Sequence, residues 1–478
     1  MSADEPGTEG RRLLPVDYRS GPMNPLFTVM SQPTTPPVEE PAWLTEPPVS
    51  DVTEELPAWY KELQADAWKR FESLPTPSRF DEPWRFADLK KVRFAALQPL
   101  AAPRDPGSII ARAQHERLEH FAAHFVFLDN TLIHAETPAL PEGAIVLPFN
   151  QALERHGDLV RDHFLQEERS LGGDKFAALH ASATLSGLFV HFPSGCRCEW
   201  PILTHHFSSQ ELAPTFPHTL IVADGHSEVT VFETFESADP AKQTLTVGMT
   251  DLIAQNGASV QYVCFQDAGD DNAKHVQLNN TVVGKDARVK SAFINLGAAW
   301  VRTESINRMV AEGADSQVFA ANLATGIQEY DQRTLQCHEA QHTTSDLLFK
   351  NALYDQSRTI FGGLIQVLPG AHHTDSYQTC RNLLGSEQAE ANSMPGLEID
   401  ADQVKCSHGA TTGQISDEEI FYLCARGISP EIARQMISFG FLNEVVQRLN
   451  GDELKAHLAR EIDIKFRELL EAGQMSPS

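Results

Sequence analysis

The spacing of apolar residues changes along this chain, and each change predicts a different kind of element. Through residues 56–74 apolar side chains recur every three or four positions, at Trp59, Leu63, Ala67, Phe71 and Leu74. Pro57 suits a first helical turn, so a helix is predicted there. LPTPSRFDEPWRF then breaks the pattern. Residues 93–175 are mixed: FVFLDNTLIHAET predicts a hairpin turning at Asp129-Asn130, and QALERHGDLVRDHFL a short helix. From about 176 to 415 the period falls to two. TLIVADGHSEVTVFETF, ASVQYVCFQD, ARVKSAFINL, DSQVFAANLAT, SDLLFKNALYD and SRTIFGGLIQVL are β-branched and aromatic, and turn residues separate them. Gly or Asp followed by Ala recurs at Gly257-Ala258, Asp286-Ala287, Gly313-Ala314, Gly370-Ala371 and Gly409-Ala410, a loose repeat at uneven intervals. Short strands stacked without an obvious closing hairpin order predict a β-solenoid rather than a sandwich.

Helical spacing returns after Gly413. Ser416 with Glu419 forms a capping box, and Ser429-Pro430 caps a helix expected to carry Ile432, Met436, Phe439, Val446 and Leu449 on one face. Asn450-Gly451 ends it, and Asp452 opens a last helix with Leu454, Leu458, Ile462 and Leu469. This helical end is read as an appendage that docks on the core or receives a partner. The chain thus divides into a proline-rich extension at 1–54, a helical and mixed segment at 55–175, a β core at 176–415 and a helical domain at 416–478. The extension, with QPTTPPVEEPAW, holds too little apolar surface to offset its ordering entropy and is expected to be disordered; Met23 and Met30 are alternative starts to Met1.

Composition narrows the function classes. Hydrophobic residues make up 41% of the chain, as in ordinary globular proteins, and the net charge is −27. So acidic a surface repels phosphate backbones and anionic lipid, so neither nucleic acid nor membrane is an expected partner, whereas a basic protein patch is attracted. Seven scattered cysteines do not form a disulfide framework. With no apolar leader and no run of about 18 apolar residues, the expected compartment is the cytoplasm. Neither GxxxxGK[ST] nor a GxGxxG between strand and helix occurs, so any ATP chemistry is expected on another chain. HExxH and CxxC are absent too.

The chemistry-bearing residues cluster in a few places. Cys196 and Cys198 in GCRC would share a strand face, but a turn-flanking pair with one cysteine in the core is the simpler reading. His205-His206 and His372-His373 are adjacent pairs, and strand neighbours face opposite sides, so each offers at most one ligand to a site. Asp375, Gln378 and Cys380 follow the second pair. VKCSHGATTG holds the strongest candidates, Cys406 and His408. On an extended strand they share a face with Val404, with Cα atoms about 7 Å apart, and Lys405 points away. That separation suits two ligands of a metal or iron–sulfur species better than a nucleophile touching its base. A buried histidine beside a buried cysteine accounts for the spacing equally well. A Cys–His hydrolase would also need an orienting residue, for which Asn392 and Asp402 are nearest in sequence.

The block containing these residues resembles the signature of the SufB/SufD family of iron–sulfur cluster assembly proteins. Its pieces are Asn382-Leu383-Leu384, Ala391-Asn392, Pro395 to Ile399, Val404 to His408, and Phe421-Tyr422 to Arg426-Gly427. GGLIQVLPGAHHTDSYQT and LPTPSRFDEPWRF also look like the family, and the likeness spans about residues 55–450. SufB-type chains carry glutamate directly after the histidine of the Cys-x-His run, where this chain has Gly409, and no SufB-type N-terminal cysteine motif is evident. The SufD branch is therefore the better match. The resemblance implies a right-handed parallel β-helix (β-solenoid) core with an N-terminal α/β segment and a C-terminal helical domain. It implies a non-catalytic scaffold in a SufBCD-type complex, paired with a SufB-like subunit through the β-helix, with a SufC-like ABC ATPase on the C-terminal helices. Cys406 and His408 would then face the SufB interface and ligate a transient iron–sulfur cluster shared with the partner, with no tightly bound cofactor. A Cys406/His408-dependent enzyme and a purely structural solenoid that holds partners are the alternatives.

Overall fold

The computed structural model describes residues 47, 56–87, 89, 97–98, 100–166, 170–269 and 271–473. The proline-rich extension at 1–54 lies outside them apart from Pro47, as do Met23 and Met30. The helices are α1 (Ala58–Ser73), α2 (Pro106–Glu116), α3 (Phe149–Arg155), α4 (Gly157–His163), α5 (Asp174–Ala183), α6 (Asp417–Cys424), α7 (Pro430–Gln447) and α8 (Asp452–Glu471). None is long and apolar enough to cross a membrane.

Two long sheets form the core. The first stacks, in spatial order, Thr131–Glu136, Ala123–Leu128, Ile202–Ser208, Glu228–Ser237, Ser259–Asp267, Arg288–Asn295, Asp315–Ala324, Thr344–Leu353, Asp375–Leu384 and Lys405–Gln414. The second runs from Ile145–Pro148 through Ser186–Phe192, Pro217–Ala223, Leu245–Ala254, Lys274–Val283, Trp300–Met309, Glu329–His338 and Arg358–Val367 to Glu390–Ile399. The chain alternates between the sheets, so each strand pairs in parallel with the one a full coil earlier. The two antiparallel pairings in these stacks lie at their first strands, Ala123–Leu128 with Thr131–Glu136 and Ile145–Pro148 with Ser186–Phe192. This is a parallel β-solenoid with helical flanks. Its sheets take in strands N-terminal to residue 176.

The Gly/Asp-Ala repeat marks a corner of the coil. Gly257, Asp286, Gly313 and Gly370 adopt φ of 70°, 54°, 76° and 89°, and the alanine after each is buried. The left-handed residue turns the chain, and the small side chain fits the tight corner beneath it. His226, His342, His373 and Gln403 take the left-handed conformation at other turns, which is why the repeat looks uneven in sequence. Gly409-Ala410 departs from the pattern and lies within a strand.

Apolar side chains from both sheets fill the lumen, from Phe125, Val190 and Ile221 through Val260, Tyr262 and Phe293 to Phe349 and Phe361. The outer faces are covered as well. α7 and α8 lay Leu442, Val446, Leu458, Ile462 and Phe466 on Phe232, Val263, Ile294 and Phe319 of the first sheet. Polar contacts pin them there: Arg448 to Asp346 at 2.8 Å, Lys465 to Asp267 at 3.1 Å, and Tyr354 to Ser438 at 2.6 Å. α1, α5 and the turn around Trp84 cover the second sheet. Arg302, buried between Glu304 and Asp331, lies 3.7 Å over the Trp84 ring.

Three local expectations differ from the fold. QALERHGDLVRDHFL forms two helices, α3 and α4, that meet at His156. On α1 the buried positions are Tyr60, Trp68 and Phe71, while Trp59, Leu63 and Ala67 are half-buried. On α7 the buried positions include Ala433, Leu442, Val445 and Val446, whereas Ile432 and Met436 stay 46% and 47% exposed. Both helices are apolar over more than one stripe, and the sheet surface each meets selects the stripe that is buried.

Candidate functional site

Cys406 and His408 lie on Lys405–Gln414, the last strand of the first sheet, next to the solenoid's open end. Register gives their direction. Cys406 pairs with Ser376 and His408 with Gln378, both buried facing the lumen, while Lys405 and Ser407 pair with Asp375 and Tyr377. In-register parallel strands stack like on like, so Cys406 and His408 share the lumen-side face of a rung that, among the described residues, no further coil covers. His408 is exposed for that reason. Cys406 is half-buried against Ile365, Val367, Leu397 and Val404. The face they share is turned to the mouth of the lumen.

The mouth has two edges, because Glu390–Ile399 ends the second sheet at the same end. Backbone direction on the first edge follows from its hydrogen bonds. Lys405 N–H donates to Thr374 and Ile415 N–H to Leu384, at 2.8 and 3.4 Å. Odd-numbered N–H groups therefore point back into the sheet, and those of Cys406, His408, Ala410 and Thr412 point out of it, toward any strand added there.

A polar ladder leads to this mouth through the lumen. Asn295 donates to Asn322, Asn322 to Asn351 and Asn351 to Asn382, each at 2.7 Å and separated by 27, 29 and 31 residues. Asn382 ends the run on Thr412 Oγ1 at 3.1 Å and Ser393 Oγ at 3.2 Å, one on each terminal strand. Cys380 sits within the ladder, fully buried, and burial pushes its thiol up to about 12. It is a packing residue.

The electrostatics of Cys406 bear on nucleophilic chemistry. Burial, and then the nearby Asp375 carboxylate, raise its thiol above the ordinary range. Among the described residues no side chain hydrogen-bonds the His408 imidazole. Neither Asn392 nor Asp402 orients it, and the Asp402 carbonyl lies instead 3.1 Å from His372 Nδ1. No activated nucleophile is assembled here.

The other sequence candidates lie elsewhere. His372 and His373 are in the turn before Asp375–Leu384, where the His373 ring stacks on His342 at 4.6 Å. His205 and His206 are buried, and His206 Nε2 lies 2.9 Å from Glu233 Oε1 in a network that includes Thr219 and Tyr262. Cys196 and Cys198 are in a turn, half-buried against the lumen core, and burial raises both thiols, Cys198 to about 11. What the sequence reading missed is a set of exposed apolar side chains on the C-terminal helices: Phe421 and Tyr422 of α6, 74% and 57% exposed, and Ile432 and Met436 of α7. The signal was there, since these apolar positions exceed what one buried helix face can use.

Residues 205–441 match the family model for the SufBD core domain of SUF system FeS cluster assembly. The chain is 26% identical to the iron–sulfur cluster assembly protein SufD of Bacillus subtilis over 416 residues, covering 86% of this chain and 95% of the relative. It is 28% identical to the Escherichia coli protein of the same name over 427 residues, 85% of this chain and 96% of the relative. A SufBD-family assembly protein of Synechocystis is 26% identical over 74% of each chain. With a two-sheet solenoid that carries the Cys-x-His run on its last strand and closes with three helices, the chain belongs to the SufB/SufD family of iron–sulfur cluster assembly proteins, within its SufD branch.

Proposed function

We propose that this protein is a non-catalytic scaffold subunit of a SufBCD-type complex, in which a nascent iron–sulfur cluster forms at the interface with a SufB-like subunit. One observation carries the reading: two edge strands end side by side at an uncovered lumen mouth, with a thiol and an imidazole on its inner face. A partner strand added to each edge would satisfy the outward backbone groups and seal the mouth. Cys406 and His408 would then lie inside a closed compartment. Thiolate and imidazole are donors suited to an iron–sulfur species, which is cargo here, and ligands divided between two chains can release it when the interface moves. The exposed apolar side chains Phe421, Tyr422, Ile432 and Met436 of α6 and α7 suit a docking SufC-like ATPase, which would supply the nucleotide chemistry. An acidic chain favours basic patches on both partners.

The test is co-purification with a SufB-like chain and an ABC-type ATPase, with cluster yield read by visible absorbance. His408→Ala should leave the complex intact and lower the yield by about tenfold or more. Normal yield in a Cys406→Ser/His408→Ala double variant would instead favour a purely structural solenoid. The raised Cys406 thiol weighs against the Cys-dependent enzyme.

A further inference from the structure

We propose that His124, His134 and Glu136 form a zinc site at the opposite end of the solenoid, on the hairpin that begins the first sheet. The hairpin's geometry brings the three together. Asp129 and Asn130 both adopt positive φ, 49° and 67°, the backbone of a tight two-residue turn. A β-bulge beyond the turn, where Phe127 pairs with Leu132 but Val126 with His134, then shifts the register so that His124 pairs directly with Glu136. His134 and Glu136 are two apart on one strand and so share a side. Their ligand atoms all lie within 4.8 Å of one another. Glu136 Oε1 is 3.3 Å from His124 Nδ1 and 3.3 Å from His134 Nε2. A tetrahedral ion with ligands at about 2.0 Å separates them by about 3.3 Å, so both spacings fit zinc. Two imidazoles and one carboxylate are borderline donors, suited to zinc over calcium or magnesium, and three protein ligands leave a fourth position open.

The cluster already converges on a cation. Arg117 Nη1 donates to Glu136 Oε1 and, at 3.3 Å, to His124 Nδ1. A guanidinium has no lone pair, so His124 Nδ1 accepts from it when the ring proton is on Nε2, the tautomer a metal at Nδ1 needs. When the proton is on Nδ1, the same atom donates to Glu136 Oε1 instead. His124 Nε2 is buried and has no hydrogen-bond partner among the described residues. With Nδ1 unprotonated, two lone-pair atoms 3.3 Å apart call for a positive charge beside them. Arg117 supplies it in the metal-free chain and would swing away as zinc enters. Its stem is not locked in a core: the guanidinium lies 4.5 Å over the Phe121 ring and is partly exposed.

The experiment uses the full chain, stripped of metal, in a Cys406→Ser/His408→Ala background so that the proposed cluster site cannot contribute. Zinc is titrated against a chromophoric chelator, and cobalt serves as the spectroscopic probe. One equivalent of each should bind, with cobalt d–d bands and no thiolate charge-transfer band. His134→Ala and Glu136→Gln, both at partly exposed positions, should each weaken binding by more than about tenfold with circular dichroism unchanged. Arg117→Gln should tighten it. Affinity unmoved by His134→Ala and Glu136→Gln, or a thiolate band placing the ion on cysteine, would overturn the assignment and leave an ordinary arginine–glutamate–histidine ion cluster.

Discussion

At Cys406 two physical effects act in the same direction, burial first and the Asp375 charge second, and both hold the thiol protonated. Alkylation of the isolated chain at pH 7 should therefore be slower than that of a free cysteine. Asp375→Asn should lower the midpoint of the pH–rate profile and speed the reaction by no more than about fivefold, because a partly screened charge pair is worth about 1 kcal/mol or less. A rate above the free-thiol value would mean that a positive charge, rather than the burial and Asp375 seen here, governs the sulfur. The period-two pattern made it legible that Cys406 and His408 share a face. Which face they share was decided by the stacking of Ser376 and Gln378 beneath them. The proposed zinc ligands divide in the same way. His134 and Glu136 stand two apart in a readable strand, while His124 joins them only through hairpin register.

The elements that matter most are the two terminal strands. Because Ala410 N–H points away from the sheet, Ala410→Pro removes one outward donor and leaves the inner ladder whole, the one setting in which a strand tolerates proline. The variant should fold normally by circular dichroism and bind the proposed SufB-like partner about tenfold more weakly by calorimetry, the loss of roughly one hydrogen bond. Unchanged affinity would move the interface off this edge. Helix existence was legible from capping residues: Ser416 Oγ accepts from Glu419 N–H and Ser429 Oγ from Ile432 N–H, as their spacing predicts. The buried face of α7 was not legible. Its second apolar stripe, with Ile432 and Met436, is left over once the solenoid has taken Leu442 and Val446 and Ala433 has packed with Ile415 and Ile420.

Over the whole molecule, burial leaves several histidines that resist protonation. His205, His275, His338 and His457 are each held down at about 4, primarily by burial. An unfolded chain takes those protons near pH 6.5, so between about 6.5 and 4 it binds more protons than the native state. Stability is then full above that window and falls as pH drops through it, by up to about 1.4 kcal/mol per pH unit for each histidine. Glu116 and Glu236, raised first by burial, act in the opposite sense and offset part of the loss. The thermal midpoint should be lower at pH 5 than at pH 7.5, and His338→Gln should flatten the dependence. A flat profile in the unmodified chain would mean that these imidazoles are solvated. The sequence by itself determined the solenoid, because a coil needs only period-two strands, left-handed corners and small residues after them, all of which are local. It also determined that a thiol and an imidazole share one strand face. Tertiary structure decided that the solenoid's last rung carries them, that no described strand covers its edges, and that α7 and α8 lie flat on the first sheet. Those outcomes depend on which surfaces remain unburied once every coil is stacked, a property of the assembled chain that no single segment encodes.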